Sequence, residues 1–175
     1  MGRPRLILVT GPPGSGKTTL AYALGAAIGC PVVSRDAIKE GMAAAEPGFT
    51  ATMSDPLSLR TYEVFFKMLE LLLRAEVTTV AEAAFGHRLW TQGLRPLTGL
   101  ADLRLVHCTV GEDEARSRMR RRLACEPTSA AHADSEHLAA PPGFTPLTVA
   151  APTLDVATDD GYQPELAAVV TFCRN

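Results

Sequence analysis

Residues 11–18 read Gly11-Pro12-Pro13-Gly14-Ser15-Gly16-Lys17-Thr18, and a second threonine, Thr19, stands directly behind them. These eight residues satisfy G-x-x-x-x-G-K-[ST] in full, the pattern of a phosphate-binding loop. Each fixed position has a physical task. Gly11 and Gly16 let the backbone turn and come close to an anion, and Gly14 adds freedom between them. The loop N–H groups point inward at the anion, reinforced by the positive end of a helix expected to begin near Lys17. Lys17 can reach β- and γ-phosphates, and the Thr18 hydroxyl can ligate Mg²⁺. Residues 11–19 are therefore expected to bind a nucleoside triphosphate.

The flanks agree with the loop. Leu6-Ile7-Leu8-Val9 is a short continuous apolar run, as in a parallel strand buried on both faces. Behind the loop, Leu20, Ala23, Leu24, Ala27 and Ile28 recur at helical spacing, and Gly29 stands where such a helix would stop. Strand, loop, helix is the context the motif requires.

The whole chain narrows the partners. Its 175 residues favour one domain, residues 1–175, with room for a sizeable core. Hydrophobic residues make up 46% and charged residues 21%, an ordinary globular balance. A net charge of −2 supplies no overall basic field and so disfavours nucleic acid as a partner. Cys30, Cys108, Cys125 and Cys173 lie far apart and form no C-x-x-C pair, which reads as small apolar residues in a reducing compartment. The first strand begins almost at Met1, and no apolar run reaches membrane-spanning length. The expectation is a cytoplasmic protein with no membrane association.

Strand-like and helix-like segments alternate to the end. Further strands are expected at Pro31–Ser34, Val77–Ala81, Leu103–Cys108 and Thr153–Val156. Helices are expected over Ala37–Ala45, Leu57–Ala75, Leu89–Leu100 with a break near Pro96, Glu112–Leu123, and Pro164–Phe172 with its proline in the first turn. Residues 46–56 read as a surface loop, and residues 125–146, rich in Pro, Ala, Ser, His and Gly, as a mobile excursion. Repeated βα units imply a parallel sheet with helices on both faces. Ligands of such sheets bind beyond the carboxyl ends of the strands, which is where informative side chains should lie.

Asp36 follows the second strand. A carboxylate there could take a proton from a substrate hydroxyl or hold Mg²⁺ through water; it could equally cap a helix beginning at Ala37. Arg35 divides between holding an anionic substrate and lying on the surface. Glu82 closes the third strand, where an acid supports Mg²⁺ or activates the nucleophile; alternatively it pairs with an arginine. Beyond it, Phe85, His87, Arg88 and Trp90 could line an acceptor pocket as a group. The segment 116–122 carries arginines at 116, 118, 120, 121 and 122. Arg118 and Arg122 share a helix face. A solvated face accounts for Arg116 and Arg120, and a role on the transferring group or the nucleotide base is left for one or two of the others. His132 and His137 lack convincing metal-ligand spacing.

Five stretches together resemble the small P-loop kinases and phosphotransferases, the branch with chloramphenicol phosphotransferase, zeta-toxin-like kinases and polynucleotide kinases. They are GPPGSGKTTLAYAL, SRDAIKEGM, AEAAF, RSRMRRRL and APTLDVATDDGYQPEL. The likeness implies a three-layer α/β fold, a five-stranded parallel sheet in order 2-3-1-4-5 with a lid after strand 4, here about residues 118–146. It implies transfer of the ATP γ-phosphate to a hydroxyl, with ATP and Mg²⁺ as cofactors. By position, Lys17 and Thr18 serve the phosphates and Mg²⁺, Asp36 matches the general base, and Arg118 and Arg122 fall where lid arginines neutralise the transferring phosphoryl. Apart from the likeness, their places in the sequence make Arg35, Asp36, Glu82 and Arg88 the candidate substrate contacts, and Asp36 or Glu82 the candidate aid to Mg²⁺ through water. The stretch from Asp155 to Asp160 matches the region that walls the base. Glu82 departs from the pattern, which has Asp after strand 3.

The leading expectation is a kinase acting on a small hydroxylated molecule such as a nucleoside, sugar derivative or antibiotic. A nucleotide-binding switch or ATPase module is the second class, weakened by the absence of an N-K-x-D tetrad. A nucleic-acid end kinase is the third; the net charge and an aromatic content of 6% speak against it.

Overall fold

The apolar run Leu6–Val9 lies entirely out of reach of solvent, at the centre of the only sheet among the described residues. In the computed structural model, residues 2–50, 55–85, 87–125, 138–139 and 144–175 are described, with residues 87–89 described by backbone alone. The strands are β1 (Arg5–Thr10), β2 (Val32–Ser34), β3 (Thr79–Glu82), β4 (Asp102–Thr109) and β5 (Thr153–Ala157). All pair in parallel, in the order β2-β3-β1-β4-β5. The helices are α1 (Lys17–Ile28), α2 (Arg35–Ala44), α3 (Pro56–Arg74), α4 (His87–Leu94), α5 (Glu112–Cys125) and α6 (Leu166–Arg174). The strand order is the one that the resemblance implies.

Alternation along β1 divides the interior into two layers. Leu6 and Leu8 face α3 and α4, meeting Phe65, Leu69, Leu73, Trp90 and Leu94. Ile7 and Val9 face α1 and α6, meeting Leu20, Leu24, Val169 and Cys173. In α3 the buried residues Leu57, Thr61, Phe65, Leu69 and Leu73 recur every four positions, one stripe along a 19-residue helix. Each fully buried leucine or phenylalanine of these layers contributes roughly 1.5–3 kcal/mol relative to exposure.

Helix boundaries follow local chemistry. The Asp55 carboxylate accepts from Ser58 N at 2.8 Å and Pro56 occupies the first turn, so α3 starts just before the expected Leu57. Helix α4 ends at Leu94 and not at Leu100, because Pro96 lacks the N–H that a further turn needs. The last helix begins at Leu166, so Pro164 is outside it. Gln163 is engaged instead in a two-way backbone pairing with Ala157, at 2.8 and 2.9 Å, which holds the chain out of helical geometry. Between α2 and α3, Lys39 Nζ donates to Asp55 Oδ2 at 2.7 Å, a buried ion pair that sequence reading does not foresee. Among the described residues no helix is long and apolar enough to cross a membrane. The expected lid, 118–146, lies in part outside the described residues, as do His132 and His137.

Candidate active site

The phosphate-binding loop joins the end of β1 to α1, and its glycines are required by what surrounds them. A Cβ on Gly11 would stand 2.5 Å from Ser15 Oγ and 2.7 Å from the Cys108 carbonyl oxygen. Gly14 has φ +78°, and a Cβ there would meet the Ala115 carbonyl at 2.5 Å, so any side chain would be strained twice over. Gly16 caps α1 with a left-handed backbone and contributes no side-chain acceptor. The first-turn N–H groups of α1 are thus not satisfied by a capping side chain, the arrangement that takes an anion. Lys17 is buried at the base of the loop, while Thr18 and Thr19 are exposed.

Glu82 is the hub of the site. It is completely buried, and both its oxygens are taken: Thr18 Oγ1 donates to Oε1 at 3.2 Å and Ser34 Oγ donates to Oε2 at 2.7 Å. Burial pushes its carboxyl above the ordinary range; the Lys17 charge and the two hydroxyls pull it back, and the nearby Asp36 pushes it further up. Lys17, Thr18, Ser34, Asp36 and Glu82, drawn from three separate strand ends, therefore act on one another at the carboxyl edge of the sheet. The register Ser34↔Glu82↔Val9 across β2, β3 and β1 is what brings them together.

Asp36 is not the cap of α2. That helix begins at Arg35, and its capping acceptor is Ser34 Oγ, which receives the Ala37 N–H at 3.3 Å. The Asp36 side chain stays partly exposed, and its Oδ1 accepts from Arg35 Nη1 at 3.0 Å. The Arg35 guanidinium lies over the Tyr62 ring, 5.0 Å from its centroid. Sequence reading gives Ser34 no role; both its cap on α2 and its bond to Glu82 come from the tertiary structure.

The arginine helix divides into distinct roles. Arg118 Nε donates to Glu114 at 2.7 Å, Nη2 donates to the carbonyls of Thr158 at 2.6 Å and Asp159 at 3.2 Å, and Nη1 reaches the Gly14 carbonyl at 3.4 Å. The Thr158 hydroxyl lies 2.8 Å from the Ser15 carbonyl and 3.1 Å from that of Thr109. Arg118 and Thr158 thus tie the phosphate-binding loop to the turn after β5, a connection without a local sequence signal. Arg116, expected on a solvated face, donates instead to the Leu138 carbonyl at 2.8 Å. Arg120 and Arg121 are exposed, and Arg122 is half-buried.

On the acceptor side the structure departs from expectation. Phe85 and Trp90 do not line a pocket: both are fully buried with Phe65 in the layer beneath α3 and α4, because their large apolar area is better spent in the core. The side chains of His87 and Arg88 lie outside the described residues. Cys108 and Cys173 are buried in the layer beneath α1 and α6, where burial pushes both thiols up to about 12, so they are inert packing residues; Cys125 is exposed.

A family model described as an AAA domain matches residues 6–141, from the first strand through the loop, Asp36, Glu82 and the arginine helix. The chain belongs to that family. Among solved structures it is similar to a candidate kinase from Chloroflexus aurantiacus, at 26% identity and a TM-score of 0.85 over 99% of this chain and 98% of that one. It is similar in fold to an APS kinase from Mycobacterium tuberculosis in complex with AMPPNP and APS, at 16% identity and a TM-score of 0.68, covering 100% of each chain. A gluconokinase from Sinorhizobium meliloti shares the fold at 22% identity and a TM-score of 0.56, over 99% of this chain and 91% of that one. The comparison with curated proteins returned no match. The chain thus has a P-loop kinase-like fold, and its solved neighbours include kinases.

Proposed function

We propose that this AAA-domain protein is an ATP- and Mg²⁺-dependent phosphotransferase acting on a hydroxyl of a small molecule. The observation that carries the reading is the convergence of Lys17, Thr18, Asp36 and Glu82 at one edge of the sheet, beside a loop built to take phosphates. The acceptor oxygen attacks the γ-phosphorus, the bond to the β–γ bridging oxygen breaks, ADP leaves, and the hydroxyl proton passes to an Asp36 oxygen. Asp36 suits this better than Glu82, since Glu82 is sealed from solvent with both oxygens occupied, whereas Asp36 is partly open.

The residues present fit a magnesium ion. The Thr18 hydroxyl is a hard oxygen donor that would hold the ion, and the Glu82 carboxylate, 3.2 Å from it, would orient that hydroxyl and add negative charge nearby. When bound, the ion neutralises charge on the β- and γ-oxygens. Lys17 supplies the protein's own positive charge to the same group. Arg118, pinned against Thr158 and Asp159, forms one wall of the base site, and Arg122 is the arginine offered to the transferring phosphoryl by a lid spanning about 118–146.

The test is ATP consumption by the full chain across a panel of hydroxylated metabolites, beside Lys17→Ala and Asp36→Asn. Acceptor-dependent ADP release that both variants abolish supports the reading. ATP binding followed only by slow hydrolysis, unaffected by any acceptor or by Asp36→Asn, sinks it.

A further inference from the structure

Arg35 presents a buried donor that nothing among the described residues answers. Its Nη1 is taken by Asp36 Oδ1 at 3.0 Å, and its Cζ stands over the Tyr62 ring, 5.0 Å from the centroid. Its Nε is out of reach of solvent and has no hydrogen-bond partner among the described residues. A buried cationic N–H without an acceptor is costly, because the group has given up water and received nothing in return. The side chain as a whole remains 18% exposed. The remaining guanidinium edge is the kind that forms parallel bonds to the two oxygens of an oxyanion, and the cation–π contact with Tyr62 helps to hold it in place.

We propose that this edge of Arg35 binds an oxyanion of the acceptor, a carboxylate or a phosphate, so that the substrate is a hydroxylated anion and not a neutral alcohol. The inference rests on the phosphotransferase reading above and specifies its substrate class. Asp36 is the next residue in the chain and is bonded to Arg35 itself. An oxyanion seated on Arg35 therefore holds the rest of the acceptor, with its hydroxyl, beside the proposed base. Arg35 selects and positions; Asp36 takes the proton.

The experiment uses the full chain with AMPPNP and Mg²⁺ filling the nucleotide site, and follows the Nε–H resonance of Arg35, assigned by its loss in Arg35→Lys. Two matched sets are titrated: glycerol, glycerate and glycerol 3-phosphate; and sorbitol, gluconate and glucose 6-phosphate. The expected result is a saturable shift with one or both anions of a set and none with the neutral member, the carboxylate and phosphate arms telling the two oxyanions apart. Tyr62→Leu, which removes the ring and leaves the charge, should weaken that response. With ATP in place of the analogue, Arg35→Lys should lower the preference for the anion over its neutral counterpart by roughly 10- to 100-fold, the worth of a hydrogen bond to a charged group, with the KM for ATP unchanged. Equal shifts with neutral and anionic members, or no shift with any, overturn the inference while leaving the kinase reading intact. Failure to bind AMPPNP in the same sample defeats the kinase reading itself.

Discussion

Ser34 Oγ donates to Glu82 Oε2 at 2.7 Å, and the same oxygen receives the Ala37 N–H at 3.3 Å, so one hydroxyl both caps α2 and anchors the acid that closes β3. Asp36 is thereby relieved of any capping duty. Ser34→Ala should cost about 1–3 kcal/mol in urea unfolding, from the lost cap and the bond withdrawn from a buried carboxylate. Asp36→Asn should leave stability within about 0.5 kcal/mol, as for other substitutions away from the core, yet lower turnover by roughly 10²–10⁴-fold. Full turnover in Asp36→Asn would remove it as the base.

Lys17→Ala should retain the fold and lose most nucleotide binding. The side chain is buried at the foot of the loop, and its charge acts on Glu82. Fluorescent-nucleotide titration with a circular-dichroism melt separates the two effects. Wild-type ATP affinity in a folded variant would contradict the assignment.

Glu82 yields a prediction with a definite sign. Burial holds its folded-state pKa above the ordinary carboxylate range. In the interval between the unfolded and folded values the native state binds the extra proton, so this group's contribution to stability falls as pH rises through it. Glu82→Gln keeps the shape and removes the titration. Measured by urea unfolding at stepped pH without nucleotide, the variant should gain on the wild type as pH rises from the ordinary carboxylate range upward. A stability difference, variant minus wild type, that stays constant or falls with rising pH refutes the raised pKa.

Arg118 and Arg122 should fail differently. Arg118 bridges the loop and the turn at Thr158, so Arg118→Ala should raise the KM for ATP, and Thr158→Val, which removes a hydroxyl 2.8 Å from the Ser15 carbonyl, should do the same. Arg122→Ala should lower kcat with little change in that KM. Steady-state kinetics on the three variants decides; identical defects would merge the two roles.

The pair Lys39–Asp55 is buried on both sides, with side chains 4% and 5% exposed. Lys39→Met should destabilise the protein by about 3–5 kcal/mol, since it leaves a buried carboxylate without its cation. Arg74→Ala, which breaks the exposed pair with Glu70, should cost less than about 1 kcal/mol. Denaturant midpoints of the two variants test the contrast, and equal losses would mean Asp55 finds water or another partner.

What the chain declared by itself was whatever depends on neighbours in sequence. The phosphate cradle is made of successive N–H groups, so the eight residues from Gly11 to Thr18 announce it without any fold. The apolar runs at Leu6–Val9 and the four-residue spacing in α3 likewise encode their own burial, because strand and helix periods are local. The arrangement at the strand ends is of another kind. Glu82 meets Ser34 across 48 residues, Arg118 meets Thr158 across 40, and Lys39 meets Asp55 across 16. In each case the sequence shows a polar residue with several acceptable partners, and only the register of strands and the packing of helices chooses one. The same holds for Phe85 and Trp90, whose composition suits a pocket wall or a core equally. Burial is a property of the assembled layers, and it was the closing of α3 and α4 over β1 and β3 that placed both rings in the core.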